Sequence, residues 1–335
     1  MLHKKIIGSA SKLMLNKPKK CVFSITNTCS MRCKMCYNWR MKDSLLTLSK
    51  KHWIKTVKDL SKLKESEILL NIIGGEPLEI PYVFDIINIA SKNNIKTSLT
   101  TNAYNIDKNL VDKIRLSGLD TLCISLDSLD PNIHDYYRGK KGVFKKVMST
   151  IDMFSKIKGP EIIIQTIIMD KNLNDLPKIV KWANNHKTIN GVFFMAVMKP
   201  HFTNLDDNWY KKDKLKLWPT ITQKVSKSIK ELIDMKKNKS KIVNSIDHLK
   251  VFEKYYKNPE NFIKSKYCDV IDFGIYIDSI GDVFICNELG KIGNVKTQNL
   301  ENIWFSYETL KVKKNMKKCS KNCEFLINCF YRDEN

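Results

Sequence analysis

Eight of the chain's ten cysteines fall into two groups, and their spacing is the first chemical signal in the sequence. The first group is Cys29-Ser30-Met31-Arg32-Cys33-Lys34-Met35-Cys36. Three thiolates spaced in this way can wrap one face of an iron–sulfur cube and leave one iron without a protein ligand. A catalytic metal site needs an open position of that kind, and a chelating substrate can fill it. Zinc is the competing metal, and it asks for a fourth Cys or His nearby. Cys21 is close in sequence but starts an apolar run. Spacing favours iron–sulfur and leaves zinc open. The second group comprises Cys268, Cys286, Cys319, Cys323 and Cys329. It can supply one four-thiolate cluster or a structural zinc knuckle. Between the groups stands Gly74-Gly75-Glu76-Pro77. Two glycines let backbone approach a ligand, Glu76 offers an acceptor for an ammonium, and Pro77 stiffens the turn. Taken alone, the tetrapeptide fits a plain turn equally well.

These residues need elements to hold them. Strand-like runs occur at 22–26, 68–73, 96–101, 121–127, 162–169 and 192–198. Most are short and almost continuously apolar, the pattern of parallel strands buried on both faces. Amphipathic segments alternate with them; Pro81 can open the helix near 82–92, and Pro177 lies in the first turn of the one near 174–186. The six β-α repeats predict an α/β fold whose parallel sheet curls into a partial (β/α)6 TIM-like barrel. Pattern alone does not separate this from a doubly wound open sheet. The first cysteine group follows the first strand, at the end where β/α barrels carry their active sites. Gly74-Gly75-Glu76-Pro77 follows the second strand, Thr100-Thr101-Asn102 ends the third, and Ser125-Leu126-Asp127 ends the fourth. Gln165 and Thr166 are polar residues inside the apolar fifth strand and need hydrogen-bond partners there. Cys21 and Cys123 fall in strands and read as core.

Beyond the sixth strand, His201, Trp209 and Tyr210 lie in a loop that should overhang the barrel mouth. Two helices are predicted near 213–237 and 244–258. Residues 273–288 alternate apolar and polar around Ser279-Ile280-Gly281-Asp282, a β-hairpin signal, and a helix near 299–316 follows. The expected organisation is a basic segment over 1–20, a core domain over 21–210, a helical bridge over 211–264 and a small C-terminal α+β iron–sulfur domain over 265–335.

With its position after strand one and Gly74-Gly75-Glu76-Pro77 after strand two, the CxxxCxxC loop resembles that of the radical S-adenosylmethionine (SAM) superfamily. The resemblance covers roughly residues 20–200. It implies a catalytic [4Fe–4S] cluster on Cys29, Cys33 and Cys36 whose open iron binds the amino and carboxylate groups of SAM. It further implies reductive cleavage of SAM to a 5′-deoxyadenosyl radical that abstracts hydrogen from substrate. Gly74, Gly75, Glu76 and Pro77 would hold the methionine amino group. Thr101, Asn102, Ser125 and Asp127 match positions near the ribose and carboxylate, and Gln165 is a further candidate for cofactor contact. The family often places an aromatic residue before the third cysteine; here Met35 stands there, with Tyr37 one residue after Cys36. His134-Asp135-Tyr136-Tyr137-Arg138-Gly139 is similar to a stretch found after strand four in relatives, with helix packing as its plain account. The order Cys268, Gly281-x4-Cys286, Gly293-Asn294-Val295, Asn299 to Trp304 and Cys319 resembles the SPASM or shorter twitch extension, which carries auxiliary clusters. Five cysteines imply one auxiliary [4Fe–4S] cluster, on Cys268, Cys286, Cys319 and Cys323, with Cys329 as an alternative ligand, a free thiol or a hydrogen-atom donor.

Lys and Arg number 58 against 35 Asp and Glu, a formal net charge of +23. The lysines are scattered, so solvated surface accounts for most of them, and RNA is an alternative substrate suggested by charge alone. No apolar run reaches the ~18 residues of a membrane span, and clustered cysteines in a reducing, cytoplasmic compartment read as metal ligands. The expected partners are a one-electron reductant such as flavodoxin or ferredoxin and a peptide or small-molecule substrate. A non-catalytic iron–sulfur or zinc protein is the reading from a different class. The short segment before strand one is expected to leave no room for a leader-binding domain, which counts against a peptide maturase, and a single auxiliary cluster favours a small-molecule dehydrogenase or mutase.

Overall fold

A computed structural model gives the architecture for residues 16–41, 47–63, 67–199, 208–262, 268, 271, 274–319, 321–323 and 327–328. Cys329 and His201 lie outside these described residues. The apolar runs of the first half form six strands: β1 (Lys20–Ser24), β2 (Leu69–Ile73), β3 (Lys96–Thr101), β4 (Thr121–Ser125), β5 (Glu161–Ile168) and β6 (Ile189–Ala196). Each pairs in parallel with the next. The helices α1 (Lys50–Leu63), α2 (Val83–Lys92), α3 (Lys108–Leu116), α4 (Pro131–Arg138), α5 (Val143–Ser155) and α6 (Leu176–Asn185) lie in the crossovers.

Each helix turns an apolar stripe to the sheet. On α1, Trp53, Val57 and Leu60 are fully buried, with the Trp53 ring 4.7 Å from that of Phe23 on β1. Burying a side chain of this kind contributes about 1.5–3 kcal/mol. Local chemistry sets the ends. On α4, Asp130 accepts from the Asn132 N–H at 2.8 Å, Pro131 opens the first turn, and Gly139 at φ 68° stops the helix.

Strand order across these six is β6-β5-β4-β3-β2-β1, and three C-terminal strands continue the sheet beyond β1, so the sheet does not close. Its β6 edge is covered group by group. The Val192 N–H donates to Lys241 O at 2.7 Å, and the Val243 N–H donates to Val192 O at 2.8 Å. Asn244 then accepts from the Phe194 N–H (2.7 Å) and donates to Phe194 O (3.0 Å). Asn328 does the same for Ala196, at 2.7 and 2.8 Å. Two side-chain amides thus stand in for a seventh strand on an edge that otherwise invites pairing with another chain.

Two helices follow, α7 (Thr222–Lys237) and α8 (Ile246–Lys257). The sequence predicts the first of them from 213, yet it starts at 222. Pro219 disfavours helix at Trp218, and the Asp213 carboxylate holds residues 213–218 as a loop by accepting from the N–H groups of Leu215, Leu217 and Trp218. Trp209 from the expected overhanging loop is buried against Trp218, their rings 5.9 Å apart.

The hairpin appears as β7 (Gly274–Ile277) and β8 (Asp282–Phe284), with β9 (Gly293–Asn294) beyond it. Strand β7 pairs in parallel with β1, from Lys20↔Gly274 to Phe23↔Ile277. The C-terminal strands therefore extend the core sheet. The single helix expected near 299–316 is two, α9 (Leu300–Trp304) and α10 (Tyr307–Met316), because Ser306 caps the second by accepting from the Thr309 N–H. Trp304 is fully buried, and its Nε1 donates to Asn16 O at 3.2 Å. Among the described residues no helix is long and apolar enough to cross a membrane.

Candidate active site

The cysteine loop leaves the end of β1 and is tied down on two sides. From β2, the Gly75 N–H donates to Thr26 O at 2.7 Å and the Glu76 N–H to Thr28 O at 2.8 Å. This approach requires glycine: a Cβ on Gly75 would sit 2.0 Å from Thr28 O. From α4, Tyr137 O accepts from the Lys34 N–H at 2.9 Å. Gly139 is pressed against the same loop, where a Cβ would lie 2.1 Å from Arg32 O. Within the loop, Arg32 Nη1 donates to Cys29 O and Met31 O at 2.8 and 2.7 Å, and Trp39 Nε1 donates to Cys33 O at 3.2 Å.

So held, Cys29, Cys33 and Cys36 line one cavity of about 290 Å³ at the C-terminal ends of the strands. That volume is close to the lower end of the ~300–1,000 Å³ range of small-molecule sites. All three are free thiols. Burial pushes Cys29 up to about 12 and Cys33 up to about 11, and raises Cys36 as well. The Arg138 guanidinium opposes that rise at Cys33 and Cys36. Loading a metal on such thiols releases their protons. Among the described residues no three His, Cys, Asp or Glu side chains converge on one metal-binding point; the three thiols share the cavity wall instead.

Met35, Tyr37, Gly74, Gly75 and Glu76 line the same cavity, as do Thr101, Asn102 and Ser125. Glu76 is buried and accepts from Thr101 Oγ1 (2.8 Å), the Asn102 N–H (2.8 Å) and the Leu78 N–H (3.2 Å). Burial outweighs these bonds and pushes its pKa up to about 7. Asn102 Nδ2 in turn lies 3.8 Å from Cys29 Sγ. A carboxylate, a hydroxyl and an amide are thereby joined to the first cysteine.

Pro77, Asp127 and Gln165 do not reach the cavity wall. Pro77 opens a short 3-10 turn and is buried. Gln165 sits half-buried in mid-strand, and its neighbour Thr166 donates to Leu126 O at 2.6 Å. Asp127 is fully buried, accepts from the Ile167 N–H at 3.1 Å and pairs with Arg138 Nη2 at 2.8 Å.

That pair brings in a residue the sequence reading left to helix packing. Arg138 is itself buried and lines the cavity beside Cys33, and its Nε has no hydrogen-bond partner among the described residues. A buried guanidinium needs a counter-charge, and Asp127 supplies it from behind. Trp39, Met195 and Asn328 also line the cavity without a signal in the sequence pattern. Asn328 arrives there from the far end of the chain.

Of the second cysteine group, Cys286 follows β8 and Cys319 follows α10. Burial raises Cys286, and nearby Cys319 adds to that rise. Cys268 and Cys323 are half-buried. Cys21 and Cys123 are buried in the sheet, as read, with Ser98 Oγ 3.5 Å from Cys123 Sγ.

Residues 23–183 match the radical SAM superfamily and residues 268–329 match the SPASM iron–sulfur cluster-binding domain. The chain belongs to the radical SAM superfamily and carries a C-terminal SPASM domain; its relatives are enzymes, and so is this protein. The two domains imply SAM and iron–sulfur clusters as cofactors. Among the relatives, the AdoMet-dependent heme synthase of Methanosarcina barkeri is 23% identical over 89% of this chain and 85% of its own. The sporulation killing factor maturation protein SkfB of Bacillus subtilis is 30% identical over 50% of this chain and 40% of its own. The fold matches that of Streptococcus suis SuiB bound to its precursor peptide SuiA, with a TM-score of 0.71 at 17% identity, over 97% of this chain and 74% of that one.

Proposed function

We propose that the protein reductively cleaves SAM at a [4Fe–4S] cluster held by Cys29, Cys33 and Cys36, and uses the outcome to modify a peptide. The observation that carries this reading is the shared wall: three free thiols, the Glu76–Thr101–Asn102 network and a buried Arg138 line one cavity. Bound there, the cluster and SAM would supply the chemistry of one-electron sulfonium cleavage, whose product is a 5′-deoxyadenosyl radical. The chain's residues bind and orient. Glu76 would offer its carboxylate to the methionine ammonium, Arg138 and Ser125 would hold the methionine carboxylate, and Met35 and Tyr37 would pack on the adenine. Ile73, Ile167, Met195 and Val197 are apolar parts of the cavity wall and would limit water around a reactive radical. Cys268, Cys286, Cys319 and Cys323 would hold one auxiliary [4Fe–4S] cluster, with Cys329 in reserve. A flavodoxin or ferredoxin in a reducing, cytoplasmic compartment would supply the electron. The domain limits we assign are those expected from the sequence, with 21–210 as the catalytic core.

A peptide substrate is supported by the names of SkfB, a maturation protein, and of SuiB with its precursor peptide. A small metabolite is the second reading, favoured because the heme synthase aligns along 89% of the chain. Two measurements test the core of the proposal. Anaerobic reconstitution is expected to load about eight irons per chain, as two [4Fe–4S] clusters require; about four would remove the auxiliary cluster, and stoichiometric zinc without iron would overturn the reading. Cys33→Ala is expected to abolish deoxyadenosine formation under dithionite, and unchanged turnover would refute the site. For the substrate, a mass change in a precursor peptide encoded beside the protein, absent with Cys33→Ala, supports the peptide; turnover with a small metabolite alone supports the second reading.

A further inference from the structure

One wall of the cysteine-lined cavity is built where β6 ends. Ala196, Val197, Met198 and Lys199 line it there, and Asn328 lines it beside them. Asn328 is buried, and both sides of its amide are engaged by Ala196. Its Oδ1 accepts from the Ala196 N–H at 2.7 Å, and its Nδ2 donates to Ala196 O at 2.8 Å. The next residue of the wall is held from α8. Tyr256 Oη accepts from the Val197 N–H, and Tyr255 Oη donates to Val197 O, each at 3.0 Å.

The chain that brings Asn328 to this wall is pinned on its way. Past α10, Cys319 lies within electrostatic reach of Cys286, and Lys321 pairs with Glu288 at 3.1 Å. Asn322 accepts from the Phe262 N–H at 3.2 Å and donates to Pro259 O at 2.8 Å, just beyond α8. Ile327 is fully buried, and its carbonyl accepts from His248 Nε2 on α8. His248 Nδ1 then accepts from Asn244 Nδ2 at 3.1 Å, so the two amides that cover the β6 edge are joined through one imidazole. Cys323 adjoins Asn322 and stands four residues before Ile327, which keeps the two within about 14 Å of each other. Cysteines of the second group therefore sit on the same short tether as a residue of the SAM cavity.

We propose that Asn328 is a positioning residue for SAM, and that loading the auxiliary cluster on Cys319 and Cys323 fixes it on Ala196. The proposal rests on the function proposed above. Asn328 acts through the end of β6, which it holds as a wall. A cluster that ties Cys319 and Cys323 to Cys286 restricts the chain leading to Asn328, so less order has to be gained when SAM binds. Two sites joined in this way favour each other by the same factor, and SAM must therefore strengthen the hold on the auxiliary cluster in return.

The test measures SAM binding by equilibrium dialysis on the anaerobically reconstituted full chain. Asn328→Leu is expected to bind SAM at least tenfold more weakly while still loading about eight irons. Asn328→Asp keeps the acceptor for the Ala196 N–H and should fall between it and the wild type. Cys319→Ser with Cys323→Ser, loading about four irons, should weaken SAM binding at least fivefold. Asn190→Leu removes an amide that accepts from the Ile162 N–H at the other end of β6, and should change SAM affinity less than twofold. In the wild type, saturating SAM should slow the loss of both clusters to a chelator. Slowing of one cluster alone, or unchanged SAM affinity in the cysteine pair, would overturn the coupling. Unchanged affinity in Asn328→Leu, or an equal loss in Asn190→Leu, would overturn the positioning role. Should Asn328→Leu misfold, Asn328→Asp and the chelator measurement decide the matter. A wild type that loads iron but binds no SAM would overturn the functional reading, and this inference with it.

Discussion

Glu76 shows how burial sets the chemistry of one side chain. It accepts three hydrogen bonds, yet desolvation pushes its pKa from 4.5 up to about 7. Between those values the folded protein holds a proton that the unfolded chain has lost. The stability this contributes is full below pH 4.5 and is lost as pH rises through about 7. Glu76→Gln cannot ionise, so in the cofactor-free protein its urea midpoint should gain on the wild type between pH 5 and 8. A constant difference across that range would remove the buried proton. The motif around Glu76 was legible in the sequence, but the use of its glycines was not. They read as room for a ligand, and the close neighbour of Gly75 is the backbone of Thr28. Arg138 was hidden for a related reason: it lies on a helix, and only packing turns it toward Cys33.

Among the elements, β6 shows how the free edge of the open sheet is covered. Its edge is sealed by Asn244 and Asn328, which return both hydrogen bonds of a backbone neighbour, and by Tyr256, whose hydroxyl accepts from the Val197 N–H at 3.0 Å. Asn244→Leu leaves a buried donor and acceptor on Phe194 unpaired, and should cost about 1–3 kcal/mol. Thermal unfolding measures this, and an unchanged midpoint would mean that water replaces the amide. The strands were legible from their apolar runs to within a few residues. The helix limits near 213 and 305 were not, because a proline and a serine cap override amphipathic periodicity.

For the whole molecule, the consequential pairing is β7 on β1. The strand that feeds the cysteine loop is flanked by β2 on one side and by a strand about 250 residues later on the other. Core and C-terminal segment therefore share a ladder, and α9 adds to it through the Leu300 N–H on Asp59, 3.4 Å apart. Urea unfolding should accordingly be a single transition in circular dichroism and tryptophan fluorescence. A separate early step confined to residues beyond 265, seen by hydrogen exchange, would show the segment to be independent.

By itself the sequence determined which family motifs the chain carries and in what order. Cysteine spacing, the tetrapeptide after strand two and the alternation of apolar runs are local patterns, and local covalent geometry limits what they can form. Tertiary structure alone decided what surrounds those motifs. The placing of Arg138 beside Cys33 and of Asn328 at the cavity wall depends on contacts between distant segments. Those contacts come from packing, which has no period along the chain.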